Sequence, residues 1–237
     1  MDADPSRTGP GRATDRDYDR DPDRYRDGMA AATRFGTAGA DLYRWIADLL
    51  DESSGERRVL RVLDLGCGEG PLAAAATWRH RVVGVDASRA MLRGARRHAP
   101  VVQGDITRLP FTRGCVDAVV AVNVLDHLDR PTPALHEARR VLRPKGRLVV
   151  GAISRTDSPE LAPHWRPAPT PFDSEDAPEA VRNAGFTDVL VLPWDAPLVT
   201  LPDRDALAAY LRARFVPPRR ASELAAGAML AVIAPWL

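Results

Sequence analysis

The sequence predicts an α/β protein whose mostly parallel sheet is doubly wound, with helices on both faces. Three observations lead there. The apolar runs "VLRVLD", "RVVGVD", "DAVVAVNV" and "RLVVGAI" are too continuous for strands with one wet face. Stretches of helical spacing separate them. The first run also ends in "GCGEGP", a turn suited to leading a strand into a helix.

Residues 1–28 read as a charged arm. There "DRDYDRDPDRYRDG" alternates Asp with Arg, and Tyr18 and Tyr25 are its large apolar groups. Such an arm is either solvated or orders over a ligand with its tyrosines packed inward. Residues 29–237 read as a single domain. A helix is expected over 29–50, where Leu42, Trp45, Ile46, Leu49 and Leu50 fall at helical spacing. The first strand follows at 59–64, then a helix from Pro71 to about Trp78. The second strand is 81–86 and its helix runs from Ser88 to His98. A short third strand covers 100–105 and the fourth 117–124, with a helix over 133–142. "RPKG" turns into the fifth strand, 147–153.

Residues 154–172 are rich in proline and hold His164, Trp165 and Phe172, too long a loop for a plain connector. They read as a lid or acceptor loop. A helix near 174–184 leads through Gly185 to a sixth strand at 187–193. The segment 196–237 reads as helical, and it is available to shape an acceptor site or a homodimer contact.

Composition narrows the function. The chain has 237 residues, 45% of them apolar, and 33 basic against 32 acidic residues give a net charge of +1. No global field points to nucleic acid or a membrane. Arginines cluster at Arg93, Arg96 and Arg97, at Arg139, Arg140 and Arg143, and at Arg212, Arg214, Arg219 and Arg220. Without interleaved aromatics, and with equal acidic charge, they read as solvated faces. Nucleic acid is therefore disfavoured as a partner. Two cysteines, Cys67 and Cys115, make no disulfide framework, which fits a reduced, cytoplasmic setting. The N-terminus lacks a signal-peptide core, and the last apolar run is too short to span a bilayer. No Cys/His spacing suggests a metal.

The glycine turn narrows it further. A strand ending in Asp64 and turning through Gly66, Gly68 and Gly70 lets a ligand approach bare backbone. A dinucleotide site would place glycine where Pro71 stands and aim helix amides at a pyrophosphate. Pro71 suits the first turn of a helix, but it donates no N–H, and Glu69 repels phosphate. The turn suits an uncharged or cationic nucleoside.

Five ordered pieces, "VLDLGCGEG", "VVGVD", "VQGDITRLPF", "VNVLDHLDRP" and "HEARRVLRPKGRLVV", resemble the class I S-adenosylmethionine-dependent methyltransferases over about residues 59–153. In particular the chain is similar to the small members that methylate metabolites. The resemblance implies a Rossmann-like, seven-stranded sheet, although the last strand cannot be placed here. It implies S-adenosyl-L-methionine as cofactor, a small-molecule acceptor, and in-line transfer of a methyl group from a positively charged sulfur to O, N or C. By the same resemblance Asp64, Gly66, Cys67 and Gly68 line the methionine end, and Asp86 with Ala87 meets the ribose. Asp105 and Ile106 meet the adenine, Asp105 being otherwise a helix cap over "ITRL". Asn123 places its backbone near the sulfonium.

No base is secure. His127 is a candidate, or else a cap of the following turn, and Asp126 stands where many relatives carry a first histidine. His164 is the second candidate, as a pocket contact in the proline-rich loop. His80, His98 and His136 read as surface or strand-edge residues. "NVLD" replaces the Asn/Asp-Pro-Pro-aromatic motif of amino-methylating enzymes, and neither cysteine is placed to act as a nucleophile.

Overall fold

The computed structural model describes residues 18–36, 41–52, 59–76, 79–157, 169–193, 199–213 and 216–227. They fall into two compact units, one formed by 41–152 with 171–191, the other by 1–40, 153–170 and 192–237.

The first unit holds the sheet. Its strands are β1 (Arg61–Leu65), β2 (Arg81–Asp86), β3 (Val101–Gln103), β4 (Val116–Val122) and β5 (Leu142–Gly151), in the order β3-β2-β1-β4-β5, every pair parallel. Each strand alternates its side chains between the two faces. One face carries Leu63, Leu65, Val85, Val119 and Ala121, packed with Ala134, Leu135, Ala138 and Val141 of a helix over Thr132–Val141. The other carries Val62, Val82, Ala118, Val120 and Val122, packed with helices over Leu42–Glu52 and Pro71–Ala76. Every residue of β4 is buried, which is why its sequence reads as an unbroken apolar run. Chain order reverses between β1 and β4, so the crevice at their carboxyl ends is the switch point where ligands of such sheets bind.

The second unit is helical. Helices Arg204–Ala213 and Pro22–Phe35 pack together, as do Arg204–Ala213 and Pro218–Gly227, around Val199, Leu201, Leu207, Leu211 and Val216. Numbered in chain order, the helices are α1 (Pro22–Phe35), α2 (Leu42–Glu52), α3 (Pro71–Ala76), α4 (Arg89–Ala95), α5 (Thr132–Val141), α6 (Ala177–Asn183), α7 (Arg204–Ala213) and α8 (Pro218–Gly227).

Several expectations need correction. α1 begins inside the stretch read as an arm: the Asp21 carboxylate accepts the Arg24 N–H at 3.3 Å, Pro22 opens the first turn, and Arg26 pairs with Asp23 at 2.9 Å. The Asp/Arg alternation thus supplies a cap and i,i+3 pairs rather than a solvated coil. Tyr18 and Tyr25 meet edge to face, centroids 6.0 Å apart. β5 starts earlier than expected because "RPKG" is a bulge within it: Val116 faces Leu142 while Ala118 faces Arg147, and Lys145 has φ +64°.

The sheet has five strands among the described residues where seven were expected. The run 187–193 is described and is not a strand. Asp188 sits at φ +52°, which breaks the extended backbone, Pro193 brings no amide, and Leu190 is 77% exposed. His80, read as a surface or strand-edge residue, stands directly before β2 and is buried there, its Nδ1 accepting the Leu60 N–H at 3.4 Å. Two arginines read as solvated are tied into the structure: Arg143 pairs with buried Asp117, and Arg140 with Glu137 at 2.6 Å. His164 and Trp165 lie outside the described residues. No helix among the described residues is long and apolar enough to cross a membrane.

Candidate active site

The site grows from the turn after β1. Gly66, Gly68 and Gly70 have φ of +65°, +54° and +84°. At Gly66 a Cβ would also lie 2.2 Å from Cγ2 of Val124, the residue that follows β4 by two positions, so neither conformation nor space admits a side chain there. The Gly66 and Cys67 amides donate to the Val85 carbonyl at 2.8 and 3.0 Å, tying the turn to β2. Cys67 in turn packs over Gly84 of β2, where a Cβ would stand 2.6 Å from its Sγ. Glu69 lies across Gly94 of α4, whose added Cβ would meet its Cγ at 2.7 Å.

Two carboxyls flank this turn. Asp64, in β1, is buried, and that burial, followed by the nearby Asp86 carboxylate, pushes its pKa up to about 8. Asp86 closes β2 with both oxygens engaged: Oδ2 accepts the Gly68 N–H at 2.9 Å and Oδ1 the Ser88 N–H at 2.8 Å. Ionised carboxylate oxygens have further lone pairs, so Asp86 can brace the turn and still accept from a ligand. Burial first, then Asp64 and Asp86, also drive the Cys67 thiol well above its usual range, which leaves it inert as a nucleophile. Tyr43, on α2, is raised by burial, then by Asp64 and Asp41.

The remaining expected residues lie at the same ends of the neighbouring strands. Ala87 follows β2 and its carbonyl accepts from Gln103 Nε2 at 3.0 Å. Asp105 follows β3. Its Oδ1 accepts from the Thr107 amide at 2.8 Å and hydroxyl at 2.7 Å, a turn rather than a helix cap, and Oδ2 makes no hydrogen bond among the described residues. Ile106 beside it is buried. Asn123 follows β4 in a left-handed conformation, φ +50°, and its Oδ1 is buried with no hydrogen-bond partner among the described residues. His127 ends the 3-10 turn Leu125–His127 with Nε2 3.8 Å from Asp126 Oδ2.

A family model described as a methyltransferase domain matches residues 63–150. A malonyl-(acyl-carrier protein) O-methyltransferase of Pseudescherichia vulneris is 32% identical over 195 residues, covering 76% of this chain and 76% of that one. The chain belongs to the class I S-adenosylmethionine-dependent methyltransferases.

An uncharacterised 37.1 kDa transposon protein of Streptomyces fradiae is 46% identical over 114 residues, 44% of this chain. The chain spans only 32% of that relative's length, and 60% of the malonyl-(acyl-carrier protein) O-methyltransferase of Enterobacter lignolyticus. The crystal structure of the cyclase SpnF superposes with a TM-score of 0.60 over 92% of this chain and 90% of that one, at 20% identity, a likeness of fold alone. Three side chains that the structure ties into this unit, Tyr43, Glu137 and Arg140, escaped sequence reading. Tyr43 lies some twenty positions before Asp64, and nothing local announces their meeting. Glu137 and Arg140 left only an acid and a base three apart, a pattern shared with ordinary solvated helix faces.

Proposed function

We propose that the protein binds S-adenosyl-L-methionine and transfers its methyl group to a small-molecule acceptor. The observation that carries this reading is the carboxyl pair Asp64 and Asp86 at a glycine turn of open backbone. Asp64 is held near neutrality by burial and by Asp86, and a cationic amino-acid group relieves both. A phosphate would meet two carboxyls there and find no amide at Pro71.

The residues present fit the cofactor. Asp64 and the backbone of Gly66, Cys67 and Gly68 hold the methionine end. Asp86 takes the ribose hydroxyls, with Ala87 beside it, and Asp105 Oδ2 accepts from the adenine amino group while Ile106 packs on the ring. Asn123 brings an unsatisfied acceptor to the sulfonium side. When bound, the cofactor supplies a methyl group on positively charged sulfur. The chain's part is to bind, orient and exclude water, since alignment supplies most of the catalysis available to such a displacement. His127, its Nε2 3.8 Å from the Asp126 carboxylate, is the group that accepts a proton from a hydroxyl or ammonium acceptor in this reading. The free thiols Cys67 and Cys115 suit the cytoplasm.

Thermal unfolding with S-adenosylmethionine, its demethylated product S-adenosylhomocysteine, and NAD tests the reading. At a hundredfold excess over its dissociation constant a ligand adds about 2.7 kcal/mol, a rise on the order of 5 °C for this length. Both sulfur nucleosides should raise the midpoint and NAD should not. Labelled methyl should then appear in a small-molecule extract. A shift by NAD alone sinks the proposal.

A further inference from the structure

We infer that Glu137 and Arg140 of α5 are positioning residues for the adenine end of the cofactor site, an inference that rests on the reading above. The segment 104–115, between β3 and β4, carries Asp105 and Ile106 and has neither helix nor strand of its own. Its backbone is held instead by α5. Glu137 Oε2 accepts the Leu109 N–H at 2.7 Å, Arg140 Nη2 donates to the Leu109 carbonyl at 3.0 Å, and Arg140 Nη1 to the Phe111 carbonyl at 2.7 Å. The two side chains lock each other, Arg140 Nε to Glu137 Oε1 at 2.6 Å and Nη2 to Oε2 at 2.7 Å. The α5 main chain completes the grip: the Gly114 amide donates to the Arg140 carbonyl at 3.0 Å and the Cys115 amide to the Val141 carbonyl at 2.8 Å.

This pair acts at a fixed distance from the expected adenine contacts. The turn that presents Asp105 closes with the Arg108 N–H on the Asp105 carbonyl at 3.0 Å, and the next residue is the clamped Leu109. Leu109 and Ile106 are both buried, so the clamp and the core pin the turn from two sides. Half-buried ion pairs give a fold little stability, but a planar fork that satisfies two carbonyls and a carboxylate at once fixes geometry. The Arg140 pairing, first among its causes, holds the Glu137 carboxyl below its usual range, so the clamp stays ionised at neutral pH.

The test uses the full chain with Arg140→Lys and with Glu137→Gln, titrated with S-adenosylhomocysteine and with its hypoxanthine counterpart, S-inosylhomocysteine, alongside melting curves. The wild-type chain should prefer the adenine ligand, because Asp105 accepts from an amino group that hypoxanthine lacks. Both variants should stay folded, bind the adenine ligand roughly tenfold more weakly, and bind the hypoxanthine ligand unchanged, so that the preference collapses. Wild-type binding without a preference overturns the inference, as does a preference kept by both folded variants. Unfolding of both variants overturns it too, by making the pair structural. Failure of the wild-type chain to bind either ligand is distinct, because it removes the methyltransferase reading itself and the inference with it.

Discussion

With Asp64 at the cofactor's ammonium, as proposed above, cofactor binding should release a proton. Burial first, and Asp86 second, push the Asp64 pKa up to about 8. At pH 7 the group is therefore mostly protonated, while a ligand ammonium demands the carboxylate. One pKa unit is ~1.4 kcal/mol, so ionising Asp64 costs about that much at pH 7 and about twice that at pH 6. The affinity for S-adenosylhomocysteine should thus rise roughly tenfold per pH unit from 6 to 8 and then level off. Deprotonation of the ligand's own amine acts at pH ~8 and above and works in the opposite direction. Calorimetric titration at pH 7 in buffers of different ionisation enthalpy should show close to one proton released. Asp64→Asn should bind weakly, with neither the slope nor the proton. A flat affinity between pH 6 and 8 with no buffer dependence in the wild-type chain would refute the reasoning.

Four further outcomes follow from the same contacts. Asp86→Ala should abolish measurable binding of S-adenosylhomocysteine and lower stability by about 1–2 kcal/mol in urea unfolding, because the Gly68 and Ser88 amides lose their acceptor; undiminished binding would remove the ribose assignment. Gly66→Ala should cost at least about 1–2 kcal/mol from its φ of +65° alone, more from the clash with Val124, and a melting point equal to wild type would contradict it. Asp117→Ala should cost about 1–3 kcal/mol, since buried Asp117 accepts the Arg61 N–H at 2.8 Å and pairs with Arg143; cofactor affinity in the folded fraction should stay unchanged. Burial, with Arg79 adding to it against the pull of Asp51, lowers the His80 pKa, so the unfolded chain takes that proton more readily. Stability should fall as pH drops through the unfolded histidine value of about 6.5, and His80→Gln should flatten that slope in denaturant titrations at pH 5–7.

The parts of the fold readable from sequence were those whose signal is local. β2 is bounded by turn residues and closed by Asp86, and β4 is buried on both faces, so each announces itself as a short apolar run. The glycine turn declares itself because three positive φ values admit few alternatives. What failed depended on partners distant in sequence. The run at 187–193 has the composition of a strand, but a strand needs a ladder, and Asp188 turns the backbone out of it. "DRDYDRDPDRYRDG" is hydrophilic enough for a coil, yet a cap and a proline at the right spacing start a helix inside it. Arg140 and Arg143 look like any helix-face arginines until Glu137, Leu109, Phe111 and Asp117 come within reach.

The contact between Cys67 and Gly84 sets an order on evolutionary change. A methyl group at position 84 would stand 2.6 Å from the Cys67 sulfur, so drift at 84 is closed while cysteine remains at 67. Because the Cys67 Cβ would itself stand at 3.0 Å, only loss of the whole side chain at 67 opens the route, and only afterwards can 84 gain a side chain. The two positions, seventeen apart, one in the turn after β1 and the other in β2, are therefore expected to change as a pair across descendants of this chain, always with the turn residue moving first.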